Sequence, residues 1–132
     1  MGGRELERVR EIALAFPGVS ERRSHGAPCF FLGNRRPLCY FHDHHRGDDR
    51  ISLWCPARPD VQDELVDAAP ERFFRPPASS SGVFASWLGI YVDSADEADW
   101  HEIAAILEQT YHLIAPNQRT ARATRTNRET PR

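Results

Sequence analysis

Three apolar runs lie so close together in this chain that they can hardly build anything except an antiparallel sheet. Pro28 to Leu32, Pro37 to Phe41 and Arg50 to Cys55 are rich in aromatic and branched side chains, which suit a pleated, half-buried surface. The dividers, Gly33-Asn34 and Arg46-Gly47-Asp48-Asp49, are turn chemistry. Neither gap holds the roughly dozen residues that a parallel crossover needs, so the runs are expected to pair as a meander. Period-two alternation puts Leu38, Tyr40 and His42 on one face of the second run and Cys39 and Phe41 on the other. In the third run Ile51, Leu53 and Cys55 oppose Ser52 and Trp54.

Helical spacing frames this meander. Leu6, Val9, Ile12, Ala13 and Phe16 form one apolar face over Glu5 to Phe16, stopped by Pro17-Gly18. Val61, Leu65, Val66 and Ala69 repeat the spacing over Asp60 to Ala69, closed by Pro70. Pro76-Pro77-Ala78-Ser79-Ser80-Ser81-Gly82 reads as a loop. It leads into a strand from Val83 to Val92, with Leu88, Ile90 and Val92 on one side and Trp87 and Tyr91 on the other. Ser94 and Glu97 make a capping-box pattern ahead of Trp100, Ile103, Leu107, Tyr111 and Ile114, the stripe of a long last helix. The expected fold is α+β: two layers in the order α-β-β-β-α-β-α, with an antiparallel sheet carrying its helices on one face.

The 132 residues suit a single domain. We place it at residues 1–116, followed by a basic tail, 117–132, that is expected to be disordered because it holds almost nothing apolar. No stretch approaches the roughly 20 apolar residues that cross a bilayer, and the expected location is the cytoplasm. The net charge of −2 is unevenly divided. Arg119, Arg122, Arg125, Arg128 and Arg132 against Glu129 give the tail +4 and leave −6 for the body. All 17 cationic side chains are arginines, which favour forked contacts to carboxylate or phosphate. Cys29, Cys39 and Cys55 are an odd number without CxxC spacing and read as reduced core residues.

Strong catalytic signatures are missing: there is no GxSxG, no GxxxxGK[ST], no GxGxxG and no HExxH. Ser24 beside His25, with Cys29 nearby, is adjacency in sequence and not yet a nucleophile with its base. His42, His44 and Asp48 have the spacing of weak metal-ligand candidates in a turn that also favours such residues for backbone reasons. No cofactor is expected. Arg22-Arg23, ahead of the first expected strand, and Arg35-Arg36, just after the Gly33-Asn34 turn, are basic pairs that, with Arg119 and Arg122, are candidates for contacting nucleic-acid phosphate. Trp54, Trp87 and Tyr40, joined by His25, are the alternative: an aromatic patch for a small ligand on the side of the sheet without helices.

The chain also resembles the MmcQ/YjbR-like family over nearly all of its folded part. The resemblance rests on Phe16-Pro17-Gly18-Val19-Ser20-Glu21, Ser24-His25-Gly26-Ala27-Pro28-Cys29-Phe30, His44-His45-Arg46-Gly47-Asp48-Asp49-Arg50 and Leu53-Trp54-Cys55-Pro56. It continues through Pro70-Glu71-Arg72-Phe73-Phe74-Arg75-Pro76-Pro77, Trp87-Leu88-Gly89, Asp99-Trp100 and Tyr111-His112-Leu113-Ile114-Ala115-Pro116. It implies a CyaY-like fold, described as a double wing in DNA-binding relatives, and a small non-enzymatic DNA-binding or regulatory role. His25, His44 and His45 are then part of the family pattern. A departure lies at Ala78 to Ser86, where relatives usually carry an aromatic and a basic residue ahead of the tryptophan; here three serines and Val83-Phe84-Ala85 intervene.

Overall fold

The computed structural model describes residues 3–43, 50–77 and 86–115. Among them, α1 (Gly3–Ala13) leads into β1 (Val19–Ser24), β2 (Ala27–Leu32), β3 (Arg36–Asp43) and β4 (Ile51–Cys55). Then come α2 (Pro59–Ala68), β5 (Phe73–Phe74), β6 (Leu88–Tyr91) and α3 (Glu97–Ile114). The strands form one antiparallel sheet in the order β1-β2-β3-β4-β6-β5. The α+β class and the expected order of elements hold. Both strands the apolar pattern did not reveal, β1 and β5, are the sheet's two edges. β1 reads Val-Ser-Glu-Arg-Arg-Ser, a charged sequence of the sort that keeps an edge from pairing with another chain.

All three helices lend apolar side chains to one core. Leu6, Val9 and Ala13 of α1, Leu65 and Val66 of α2, and Trp100, Ile103 and Leu107 of α3 pack against Phe30, Cys39, Phe41, Leu53, Cys55, Leu88 and Ile90 of the sheet. Polar ties fix the layers. Arg10 holds Glu21 of β1 through two bonds, 2.8 and 3.0 Å; Tyr111 donates to the Pro17 carbonyl at 2.7 Å. Burial pushes the thiols of Cys29 and Cys55 up to about 12 and that of Cys39 well above its ordinary value. All three stay protonated core groups with little nucleophilic character.

Two local expectations are corrected. Phe30 pairs with Cys39 but Phe31 with Pro37, so Leu38 is the extra residue of a bulge. The bulge turns Leu38 into the helix-side core beside Cys39, and the face predicted for Leu38, Tyr40 and His42 keeps only the last two. The last helix is capped by Asp96 rather than Ser94: the Asp96 carboxylate accepts from the Asp99 N–H at 2.8 Å, and the Asp99 carboxylate accepts from the Asp96 N–H at 3.1 Å. The turn closed from Ala95 N–H to the Val92 carbonyl holds Ser94 just before that start.

Where the chain enters β4, Arg50 grips Asp93 through bonds of 2.7 and 3.0 Å while its guanidinium lies 3.7 Å over the Tyr91 ring. The Arg50 hydrogen bonds hold the Asp93 carboxyl below the usual aspartate range. A carboxyl depressed in the folded state adds stability above its unfolded pKa, and that contribution is lost as pH falls through the folded value. Asp93→Asn is therefore expected to lower the urea midpoint at about pH 7 and to close the gap with the parent protein below about pH 4. A gap of constant size across that range would mean that the ionised carboxylate is not what stabilises this corner.

Candidate functional site

The candidate arginines divide between the two ends of the sheet. At one end, the turn of Gly33, Asn34 and Arg35 joins β2 to β3 beside the C-terminus of α3. Gly33 sits at φ 68°, in the left-handed region open to glycine, and its N–H reaches the Gly18 carbonyl at 3.1 Å. Arg36 donates to the Ile114 carbonyl at 3.1 Å, closing an otherwise orphaned helix end with the charge that its dipole favours. Arg22 lies 3.8 Å over the Phe31 ring and donates to the Asn34 carbonyl. Arg35 is exposed at the tip and makes no hydrogen bond or ion pair among the described residues. Arg35 and Arg36 line a groove of about 480 Å³ with Gly18, Leu32, Gly33, Asn34 and Ala115.

At the other end, Ser24 pairs with Ala27 and the two residues between them form the β1–β2 turn. His25 has φ 55° and Gly26 φ 80°, the two left-handed residues of a type I′ hairpin, which Asn-Gly fills most easily. A histidine there carries strain. Its ring is held in place: Ser24 Oγ lies 3.2 Å from both His25 Nδ1 and the Tyr40 hydroxyl, and Tyr40 lies 3.4 Å from that nitrogen. Burial raises the pKa of Tyr40, keeping it a neutral phenol. Arg23 donates to the Gly26 carbonyl at 2.7 Å. A pocket of about 380 Å³ opens here between Arg23, the turn and Pro28 on one side and Phe41, His42 and Asp43 on the other, with Leu6 of α1 at its wall.

The aromatic candidates do meet. Tyr40, Trp54 and Trp87 share a cluster with Ala27, Cys29 and Phe31 on the sheet face away from the helix-side core. His42 stacks into it, 4.3 Å from Trp54 and 6.0 Å from Tyr40. At 6–8% exposure, however, Tyr40, Trp54 and Trp87 are buried and leave little ring face for a ligand. Of the proposed patch, His25 alone is exposed. Asp43, Pro28 and Phe41 are site residues that the sequence reading missed. The signal that points to them is the His25-Gly26 pair, whose two-residue turn fixes the β1–β2 register.

Among the described residues, no three His, Cys, Asp or Glu side chains converge as metal ligands. His44, Asp48, Arg119, Arg122, all of the departure at Ala78 to Ser86 except Ser86 itself, and the expected tail lie outside the described residues. No described helix is long and apolar enough to cross a membrane.

Comparison with known proteins places these features in context. A model of the YjbR family matches residues 14–113. No curated protein matches the chain. In fold it is similar to the crystal structure of Deinococcus radiodurans protein DR2400, whose family-model domain is DUF419; the TM-score is 0.65, with 15% identity over 83% of this chain and 77% of that one.

Proposed function

The chain belongs to the YjbR family, and from that premise we propose that it is a small DNA-binding or regulatory protein of the cytoplasm that works by contact and not by catalysis. Its arginine-bearing hairpins contact phosphate. The observation that carries this reading is the division of charge between layers. α2 holds Asp60, Asp63, Glu64 and Asp67 with no basic residue, and α3 holds Glu97, Asp99, Glu102 and Glu108 with no arginine. From Val19 to Arg36 the only acid is Glu21, already gripped by Arg10, against Arg22, Arg23, Arg35 and Arg36. Charges more than roughly 10 Å apart are largely screened at 0.1 M salt, so the hairpins' own charge outweighs the net −2 when an anion approaches them.

The partner arginines differ in how much they have left to give. Arg22, Arg23 and Arg36 each give a donor to a backbone carbonyl, which fixes the fork and leaves further N–H groups for phosphate oxygens. Arg35 has its whole guanidinium to offer. Fluorescence anisotropy with duplex DNA of random sequence, at several salt concentrations, tests the reading by comparing the full chain with one ending at Asn117. Binding should survive truncation, with log affinity falling against log salt at about −0.9 per phosphate contacted and more steeply for the full chain. Loss of all binding with the tail, or none from the start, would remove the hairpins from the site.

A further inference from the structure

We propose that the pocket between the β1–β2 turn and the end of β3 receives one unstacked nucleobase, with the neighbouring phosphate on Arg23. This rests on the phosphate-contact reading for its partner class and adds a base subsite at the opposite end of β1. The His25 ring is exposed, yet its Nδ1 edge is fixed by Ser24 and Tyr40, and its backbone accepts a left-handed conformation that asparagine or glycine would adopt with less strain. A strained, immobilised and exposed ring suits a stacking platform.

The chemistry around that ring selects among ligands. Asp43 supplies acceptors and Arg23 donors to the same pocket, whose walls include Pro28, Phe41 and Leu6. A bare inorganic anion would meet the Asp43 carboxylate, a bare cation would meet the Arg23 guanidinium, and a hydrocarbon ring would satisfy neither. A nucleobase with its phosphate brings a flat face for His25, an exocyclic amine for Asp43 and an anion for Arg23. Charge continuity favours a strand over a free nucleotide. Arg35, Arg22 and Arg23 lie along one sheet edge, Arg22 toward the face of Phe31 and Arg23 toward that of Leu6, and the six residues of β1 span roughly 20 Å at about 3.4 Å each. Bases stacked inside a duplex cannot enter the pocket, so single strands should be preferred.

The test uses the full chain with a single-stranded oligonucleotide, the duplex of the same length, and a nucleoside monophosphate alone. The informative variant is His25→Asn, which suits the turn and removes the ring, so its thermal midpoint should not fall. Single strands should bind more tightly than duplex, and His25→Asn should cut single-strand affinity roughly 5- to 100-fold while changing duplex affinity less than twofold. NMR shifts at His25 and Asp43 with the monophosphate alone, absent in the variant, would assign the pocket to free nucleotides as well; shifts with the oligonucleotide alone would assign it to a strand. Unchanged single-strand affinity in His25→Asn, or equal losses for both forms, overturns the base subsite while duplex binding still speaks for the phosphate reading. If neither nucleic acid binds, the phosphate reading fails, and silence from the monophosphate then sinks the pocket too.

Discussion

Gly89→Ala should cost the domain about 2–4 kcal/mol, a large part of the roughly 5–15 kcal/mol that holds a domain of this size folded. Gly89 lies in β6, opposite Trp54 of β4 and Phe74 of β5. A Cβ there would sit 2.3, 2.4 and 2.6 Å from three atoms of the Phe74 ring. The ring therefore lies on the glycine, as aromatic side chains do where a strand offers bare backbone. It also stacks on Tyr91 at a centroid distance of 4.6 Å and packs on the cluster of Tyr40, Trp54 and Trp87. The methyl group would evict the ring from both. The backbone is not the obstacle, since Gly89 has no positive φ. Urea unfolding of a double-mutant cycle separates the causes: Phe74→Ala opens the space, so Gly89→Ala should cost almost nothing in that background. Additive losses would mean that the glycine is needed for something other than the ring above it.

How far the sequence discloses such contacts depends on the kind of element. β2, β3, β4 and β6 are legible because each is a short, mostly apolar run buried on both faces of the sheet. β1 is not, because an edge strand takes its place from its neighbour's register and a two-residue turn, and its own side chains are mostly charged. The two residues of β5 are too few to show a period. Leu38 misleads because a bulge changes facing without changing composition. On the second sheet face, alternation correctly gathers Tyr40, Trp54 and Trp87, yet it cannot say that the rings are buried. The Arg35-Arg36 pair shows the same limit at the candidate site. Two identical neighbours in sequence have different duties, because one points to solvent at the turn and the other meets the end of a helix that is remote in the chain.

That difference makes the two arginines separable by experiment, and it is the sharpest check on the phosphate reading. Arg35→Ala should weaken binding to random duplex roughly tenfold, the scale of one lost hydrogen-bonded contact to a charged group, with no change in thermal midpoint because Arg35 has no described partner to lose. Arg36→Ala should lose a similar factor and also lower the midpoint, since the Ile114 carbonyl loses its donor. In the double variant the losses should combine, and the slope of log affinity against log salt should flatten by about one for each arginine removed. The reduction should be the same for unrelated sequences, because phosphate contacts position a protein on DNA without reading its bases. Arg35→Glu should exceed the alanine effect by placing a carboxylate where a phosphate is to sit. An unchanged affinity in the double variant, or a loss confined to particular sequences, would move the contact surface away from the β2–β3 turn and leave Arg36 with the end of α3 as its sole duty.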